Sequence, residues 1–357
     1  MKKSSAGGLT PAAVAFSIGM AVIVAGAAAF GLAGCEGKKQ AAQDSGGKFK
    51  LRAVTQTTFS ETIIADRLGF FADEGIEIEY VGALGRGITQ FQAIELGEID
   101  VFTQGHLTSV GQARLAGIKV KAVSPGFIDD PDNPHVLYLV REDSPLKSLD
   151  DLPGTKVAAS ASVCTDGFLK RYLKGRGIDY STVEFISLSG QAGIAEQSLV
   201  QGLIDVTTSH TPQGGIALAA GGVRKLASSW DIFHSPSAGL AVRGFSDKFI
   251  EEHPDIVQGF VNAEYRARVF MKKNPAYSRI VGGEYLELPA DEVSSNSYDQ
   301  NKNIDTQWAL EWIKMSEDEG YWEKGQLTPD DLYTNAFVPL DVPASDEDIG
   351  REYLGKP

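Results

Sequence analysis

Cysteine is scarce in this chain, and several patterns typical of catalytic and metal-binding proteins are missing. Cys35 and Cys164 are its two cysteines, so a framework of several disulfides is excluded. No Cys/His spacing typical of zinc, no glycine–lysine phosphate loop and no His-Glu-x-x-His motif occurs, and none of the five histidines lie four residues apart. The sequence therefore predicts no catalytic residues, no metal and no cofactor.

Positive charge is also in short supply. The chain has 47 acidic and 33 basic residues, a net charge of −14. An acidic surface disfavours nucleic acid as a partner and provides no general attraction to anionic lipid. Any anion that the protein recognises must therefore be held by local donors. The hydrophobic content of 43% supports a real core, and the length suffices for one large or two mid-sized domains.

Only the N-terminus contains a long apolar run. Lys2 and Lys3 precede residues 11–34, which are uncharged, rich in Ala and Gly, and followed by Cys35. This pattern predicts a lipoprotein signal peptide over 1–34 and lipid attachment at Cys35, followed by a flexible polar tether, 35–48. An uncleaved membrane anchor is the alternative, because the run is nearly long enough to span a bilayer. The small-residue composition favours the lipoprotein, which would be extracytoplasmic and anchored to the cell membrane.

One sequence pattern occurs twice. Gly-Glu-Ile-Asp-Val at 97–101 returns as Gly-Leu-Ile-Asp-Val at 202–206, each time after a helix-like stretch and before a polar turn with a histidine. A second helix-like and strand-like segment follows both copies. The pattern indicates one helix–strand–loop–helix–strand unit used twice, and hence two α/β lobes with a cleft between them. The alternative is chance recurrence of a common connection from helix to strand.

The remaining periodicity predicts an α/β chain. Strands alternate with helices, which favours mainly parallel sheets with ligands bound beyond the carboxyl ends of the strands. Thr58-Phe59-Ser60-Glu61 has the pattern of a capping box with Thr58 as the helix N-cap. Residues 160–165 form a predicted polar loop before a helix that starts at Asp166. Three helices are expected near the C-terminus, over 254–271, 278–286 and 305–318.

Several stretches resemble one family of solute-binding proteins. They are Ala-Asp-Arg-Leu-Gly-Phe-Phe-Ala-Asp-Glu-Gly-Ile at 65–76, Gly-Glu-Ile-Asp at 97–100, Leu-Asp-Asp-Leu-Pro-Gly-Thr-Lys-Val-Ala at 149–158, and Thr-Pro at 211–212. They are similar to ABC-importer binding proteins for nitrate, aliphatic sulfonates, taurine and thiamine pyrimidine precursors, from about residue 49 to 339. The resemblance implies an α/β fold of two Rossmann-like lobes with a hinge and a central cleft, the type II periplasmic binding protein fold.

Family membership also implies a division of the chain and a set of partners. Lobe one would comprise 49–135 plus 236–357, and lobe two would comprise 136–235, with the two crossings near His135-Val136 and Ser235–Ala238. A small-molecule ligand would bridge the lobes and stabilise a closed form. An ABC permease with its ATPase subunits would recognise that form. No enzymatic activity is implied.

The loops expected to line the cleft are rich in hydroxyls and amides and precede helices. Helix N-termini favour negative charge, so these loops suit a small oxyanion. Arg86 is the guanidinium in a predicted cleft loop and suits sulfonate or carboxylate. The predicted ligand-binding residues are Gln56, Thr57, Thr58, Arg86, Gln104 and His106 in lobe one, and Ser160, Ser162, Cys164, Thr165, Gln191, His210 and Thr211 in lobe two.

Two departures from the family bear on the ligand. His106 stands where sulfonate-binding relatives often have Asp, and His210-Thr211 stands where they often have Trp-Asp. The loss of acidic groups argues against an ammonium-bearing ligand such as taurine and favours a plain organic anion, with an aliphatic sulfonate as the leading candidate. A thiamine pyrimidine precursor or another heterocycle is the alternative ligand.

Two other classes of protein stay open at this point. A sulfinate desulfinase-like enzyme would need a cysteine nucleophile. Family enzymes of that type carry it in the loop after the first strand, where this chain has Gln56-Thr57-Thr58. Cys164 is the remaining thiol, and as a small buried side chain it needs no catalytic role. A sensory module that presents the closed form to a membrane receptor is the other class.

Overall fold

The computed structural model describes residues 47–82, 88–159, 162–188, 193–293 and 295–341. The signal, the lipid-attachment cysteine and nearly all of the tether predicted from the sequence lie outside these residues. The strands are β1 (Phe49–Ala53), β2 (Ile76–Tyr80), β3 (Val101–Phe102), β4 (Val120–Pro125), β5 (Phe127–Ile128), β6 (Val136–Arg141), β7 (Lys156–Ala158), β8 (Glu184–Ile186), β9 (Val206–His210), β10 (Val223–Ser228), β11 (Val242–Ser246) and β12 (Ser297–Tyr298). The α-helices are α1 (Glu61–Arg67), α2 (Phe70–Asp73), α3 (Ile88–Glu95), α4 (Leu107–Leu115), α5 (Phe168–Gly175), α6 (Ile194–Val200), α7 (Gln213–Ala220), α8 (Ser229–Phe233), α9 (Asp247–Glu252), α10 (Pro254–Lys273), α11 (Pro275–Leu286), α12 (Thr306–Asp318) and α13 (Pro329–Leu332).

The described strands form open sheets in two parts of the chain. Residues 136–228 contribute a five-stranded sheet of order β10-β6-β9-β7-β8. A three-stranded sheet, β3-β11-β4, and two-stranded pairs, β1-β2 and β12-β5, come from the segments before and after that range. Helix α10 returns from the C-terminal part to pack on the first segment, where Phe260 stacks on Phe71 with ring centroids 5.4 Å apart. None of the helices in the described ranges is long and apolar enough to cross a membrane.

The repeated sequence pattern corresponds to repeated structure. The first copy forms α3, β3, α4 and β4, and the second forms α6, β9, α7 and β10. The two aspartates of the pattern have equivalent contacts. The Asp100 carboxylate accepts the backbone N–H of Arg52 in β1 at 2.8 Å, and the Asp205 carboxylate accepts that of Lys156 in β7 at 2.8 Å. In each copy, the aspartate therefore joins the start of its strand to a neighbouring strand by a hydrogen bond.

The expectation of mainly parallel sheets is wrong, because one strand in each larger sheet runs against the others. Strand β6 is antiparallel to both β9 and β10, and β11 is antiparallel to both β3 and β4. The two strands inside each repeat keep the common direction that the helix–strand alternation predicts, because β9 and β10 are both antiparallel to β6, and β3 and β4 are both antiparallel to β11. The reversed strands come from the segments that connect the two halves of the chain.

Two local predictions need correction. The N-cap of α1 is Ser60, whose side chain accepts the N–H of Ile63 at 3.4 Å, so Thr58 does not cap this helix. The chain stays extended for two residues longer than the capping-box pattern suggested. The helix expected from Asp166 begins earlier, because a single π-helical segment, Val163–Gly167, precedes α5. This widened turn brings Cys164 into the first turn of the helical segment.

A cluster of buried charges lies between α1, β11 and α10. Glu61 pairs with Arg243 at 2.8 Å, and the Thr62 hydroxyl donates to Glu264 at 2.7 Å. Arg268 donates to the backbone carbonyl of Pro125 at 2.7 Å. Desolvation, with the nearby charge of Glu61 as a second cause, raises the pKa of Glu264 to about 8. The cluster thus retains a protonated carboxyl at neutral pH.

Candidate functional site

A cavity of about 350 Å³ lies where loops from several elements meet. Three helical segments begin at its wall: α4 after His106, the π-helical turn after Ser162, and α7 after Thr211-Pro212. The first N–H groups of a helix have no carbonyl partner in their own helix and carry partial positive charge. The starts of these segments therefore bring partial positive charge to the cavity wall without a formal charge.

The loop between β3 and α4 forms one wall. Gln104, Gly105 and His106 line the cavity together with Thr108 and Ser109 of the first turn of α4. The Gln104 amide donates to the Thr58 hydroxyl at 2.8 Å, which joins this loop to the segment after β1. Thr58 is thus a member of the cavity wall.

The segment after β7 forms another wall, made by Ser162, Val163 and Cys164. Asp166 accepts the Ser162 N–H at 3.0 Å and therefore fixes this turn. The Ser162 hydroxyl lies 3.4 Å from the Cys164 sulfur, and the Nε2 atom of His210 lies 3.7 Å from the same sulfur. Cys164 is thus held between a hydroxyl and an imidazole.

Four rings form a continuous chain of contacts along the cavity, in which one pair is stacked and the other two pairs meet edge to face. The His106 ring lies flat on Trp312, with centroids 4.8 Å apart and planes at 3°. His135 meets His106 at 4.8 Å and His210 at 4.8 Å. The Trp312 indole N–H donates to the carbonyl of Ser237 at 2.6 Å, and this hydrogen bond fixes the orientation of the ring.

Burial disfavours the charged form of two titratable groups in the described lining of the cavity, His106 and Cys164. Desolvation lowers the pKa of His106 to about 4, against the opposing effect of its Nδ1 hydrogen bond to the Leu240 carbonyl at 2.8 Å. Desolvation also raises the pKa of the Cys164 thiol to about 11. Among the described residues that line the cavity there is no Lys, Arg, Asp or Glu.

The structure brings together seven of the predicted site residues. They are Thr58, Gln104, His106, Ser162, Cys164, His210 and Thr211. Arg86, Ser160 and Gln191 lie outside the described residues, as does Cys35.

Three predicted residues are not part of the cavity lining. The Gln56 side chain is buried and donates to the Thr103 hydroxyl at 2.8 Å. The Thr165 hydroxyl is occupied by Ser162, at 3.0 Å from its Oγ. Thr57 is exposed. Position in a loop before a helix was the signal for all three, and it does not show which way a side chain turns.

Sequence reasoning missed several cavity residues. These residues are Phe127 in β5, His135 directly before β6, Asn296 directly before β12, and Trp312 in α12. A shared motif does not mark them, because they are far apart in the chain. His135 had a partial signal, since it was placed at the first crossing, next to the expected cleft.

The comparisons with known proteins agree with this architecture. The family model described as NMT1/THI5 like matches residues 56–278, so the chain belongs to that family. An aliphatic sulfonates-binding protein of Escherichia coli is 26% identical over 58% of this chain and 62% of its own length. One of Bacillus subtilis is 29% identical over 71% of this chain and 74% of its own length.

A solved structure shows the same fold. The alkanesulfonate-binding protein SsuA from Xanthomonas axonopodis pv. citri, bound to MOPS, superposes with a TM-score of 0.65. The match covers 80% of this chain and 98% of that one at 18% identity. The chain therefore has the type II periplasmic binding protein fold, with two α/β lobes, a hinge and a central cleft. The two relatives found by sequence are both named as binding proteins.

Proposed function

We propose that this protein is the extracytoplasmic solute-binding component of an ABC importer and that its solute is a small organic anion, with an aliphatic sulfonate as the leading candidate. The observation that carries the proposal is the convergence of three helical N-termini on one cavity. Hydroxyls of Ser109, Ser162 and Thr211 add neutral donors there. The names of the relatives support the sulfonate class.

The mechanism proposed for this function is closure of the two lobes on the solute. We place the lobes at 49–135 plus 236–357 and at 136–235, as the sequence predicts. Asp129 supports a hinge here, because its backbone N–H donates to the Pro236 carbonyl at 3.0 Å and its carboxylate accepts the His135 N–H at 2.7 Å. The solute stabilises the closed form, which the permease and ATPase subunits then use. A lipid on Cys35 would keep the protein at the membrane.

A neutral heterocycle, such as a thiamine pyrimidine precursor, is the second candidate. The aromatic wall of Trp312, His106 and His135 is the observation that favours it, because flat aromatic ligands pack against ring surfaces. The lack of a cation among the described lining residues points in the same direction. A desulfinase-like reaction has less support, because a buried thiol with a raised pKa is a poor nucleophile.

Thermal melting against a panel of sulfonates, carboxylates, nitrate and pyrimidines tests the ligand class. A solute at 100 times its dissociation constant adds about 2.7 kcal/mol, which is readily measured as a shift in melting temperature. We expect alkanesulfonates to give the largest shift. A shift produced only by neutral pyrimidines would show that the solute is a heterocycle and not an anion.

A matched pair of variants tests the helix N-terminus. Ser109→Asp places a carboxylate in the first turn of α4, where negative charge favours the helix but repels a bound anion. Ser109→Asn has nearly the same size without the charge. We expect the Asp variant to lower sulfonate affinity at least tenfold more than the Asn variant, measured by calorimetric titration. Equal affinities would show that the anion does not bind at this helix.

A further inference from the structure

We propose that His106, His135 and Cys164 bind one transition-metal ion of borderline or soft character, such as Zn²⁺ or Cu⁺, at the wall of the cavity. The donor atoms of these three side chains lie within 4.8 Å of one another. All three residues line the cavity, and His135 and Cys164 are almost completely buried. Imidazole and thiolate are the ligands that such ions prefer.

The distances fit a site that closes on the ion. Zinc binds imidazole nitrogen at about 2.0 Å and thiolate sulfur at about 2.3 Å, which puts tetrahedral donors roughly 3.5 Å apart. The largest separation of 4.8 Å must therefore shrink by roughly 1 Å. Small side-chain rotations provide such a movement.

The hydrogen bond of His106 leaves one of its ring nitrogens able to bind a metal. Its Nδ1 donates to the Leu240 carbonyl at 2.8 Å, so Nε2 keeps its lone pair. Metal-binding histidines usually donate their other ring nitrogen to a carbonyl or carboxylate in this way. Trp312, stacked on the ring at 4.8 Å, holds its plane.

Two polar groups lie beside the sulfur. His210 Nε2, at 3.7 Å, and the Ser162 hydroxyl, at 3.4 Å, are placed to donate to it. Binding replaces the thiol proton by the metal, and that proton leaves to solvent. The ion then has three protein ligands and one open position that faces the cavity.

This open position gives the metal a role in solute capture, which rests on the proposed function. A divalent ion with one thiolate carries a net positive charge into a cavity whose described lining has no Lys or Arg. An oxygen of an organic anion can occupy the fourth position, as water or substrate does in three-ligand zinc sites. The metal would thus supply the charge that helix N-termini provide only in part.

Metal titration of the full chain carrying Cys35→Ser tests the site, because Cys164 is then the single thiol. We expect one Co²⁺ per chain, a sulfur-to-cobalt charge-transfer absorption band, and displacement by Zn²⁺. Cys164→Ser and His135→Gln should each weaken binding at least tenfold. His253→Gln is the matched control, since that ring packs on Phe49 and Phe249 away from the cavity, and it should bind as tightly as the parent.

A second measurement does not depend on whether the variants fold. Zn²⁺ should protect Cys164 of the same Cys35→Ser chain against alkylation by a thiol reagent. Absence of the charge-transfer band, unchanged affinity in folded Cys164→Ser, or alkylation that is indifferent to Zn²⁺ would each overturn the metal site.

The sulfonate titrations separate this inference from the proposed function. Sulfonate affinity that rises at least tenfold with Zn²⁺ and falls back with a chelator supports the metal as the anion partner. Sulfonate binding that a chelator leaves unchanged overturns that role. If metal does not bind and sulfonates still do, the proposed function stands without the metal.

Discussion

At the scale of single residues, Gly239 shows how closely the segment before β11 approaches the end of β5. A Cβ atom at this position would lie 2.2 Å from the backbone nitrogen of Asp129 and 2.4 Å from the carbonyl carbon of Ile128. Both are backbone atoms, so neither can rotate away as a flexible side chain could. Glycine is therefore required here by space and not by backbone angle.

Replacement of this glycine should destabilise the protein. We expect Gly239→Ala to lower the free energy of unfolding by about 1–3 kcal/mol or more, since backbone must shift to admit the methyl group. Gly175→Ala is the control, because that exposed glycine ends α5 and a Cβ atom added there would meet nothing within 4 Å. Alanine is the better helix former, so the control should be neutral or slightly stabilising. Urea denaturation of both variants checks the difference, and equal stabilities would contradict the steric argument.

At the scale of elements, the hydrogen bonds that join the two repeat copies to their neighbouring strands differ in strength. Asp100 receives the backbone N–H of Arg52 and also pairs with its guanidinium at 2.5 Å, with 13% of its side chain exposed. Asp205 receives the backbone N–H of Lys156 and is itself exposed to solvent. The first copy thus has the more buried anchor, and an ion pair reinforces it.

This difference gives a prediction for paired variants. Asp100→Ala should cost about 1.5–3 kcal/mol, the range for hydrogen bonds to charged groups. Asp205→Ala should cost about 1 kcal/mol or less, because solvent replaces an exposed bond easily. Denaturant titrations of the two variants measure both costs. A larger loss for Asp205→Ala would show that exposure does not set the strength of these anchors.

The same elements show what sequence can predict. The helix–strand periodicity and the Gly-x-Ile-Asp pattern indicated α3-β3-α4-β4 and α6-β9-α7-β10 because both signals are local. The direction of β6 and β11 depends on how distant segments pair, so the sequence pattern misjudged it. Thr58 and Ser60 both have capping side chains, and local spacing alone selected the wrong one.

The candidate site was predictable in the same partial sense. His106 and Cys164 lie in the segments that follow β3 and β7, and His210 ends β9, so loop position in the sequence was enough to find all three. His135 and Trp312 reach the cavity through tertiary packing, and Trp312 sits in a C-terminal helix that gave only a helical signal. The ring contacts and the cluster of His106, His135 and Cys164 form because residues far apart in the chain meet in the fold. Motif spacing in the sequence therefore could not reveal either feature.

At the scale of the whole molecule, the buried charge cluster makes stability depend on pH. The pKa of Glu264 rises from 4.5 to about 8 through burial. Between these values the folded protein retains a proton that the unfolded chain has lost. The stabilisation from this retained proton is complete below pH 4.5 and is lost as the pH rises toward about 8. The free energy of unfolding falls over this range by at most about 1.4 kcal/mol per pH unit.

Glu264→Gln should remove this dependence, because the amide stays neutral and can still accept from Thr62. We expect the variant to gain stability relative to the parent between about pH 5 and about pH 8. Melting temperatures at the two pH values measure the change, with exposed Glu251→Gln as the control. A constant difference between variant and parent at both pH values would mean that Glu264 is ionised throughout.

The face-to-face contact of Trp312 with His106 should allow binding at the cavity to be measured by the protein's own tryptophan fluorescence. Trp312 is one of four tryptophans, and its indole forms part of the cavity wall. A solute or ion that arrives beside His106 changes the surroundings of that fluorophore, so emission should shift during titration. In Trp312→Phe the remaining emission should stay constant while calorimetry still detects binding. Binding can then be followed in real time by the emission of the protein itself, without an added label.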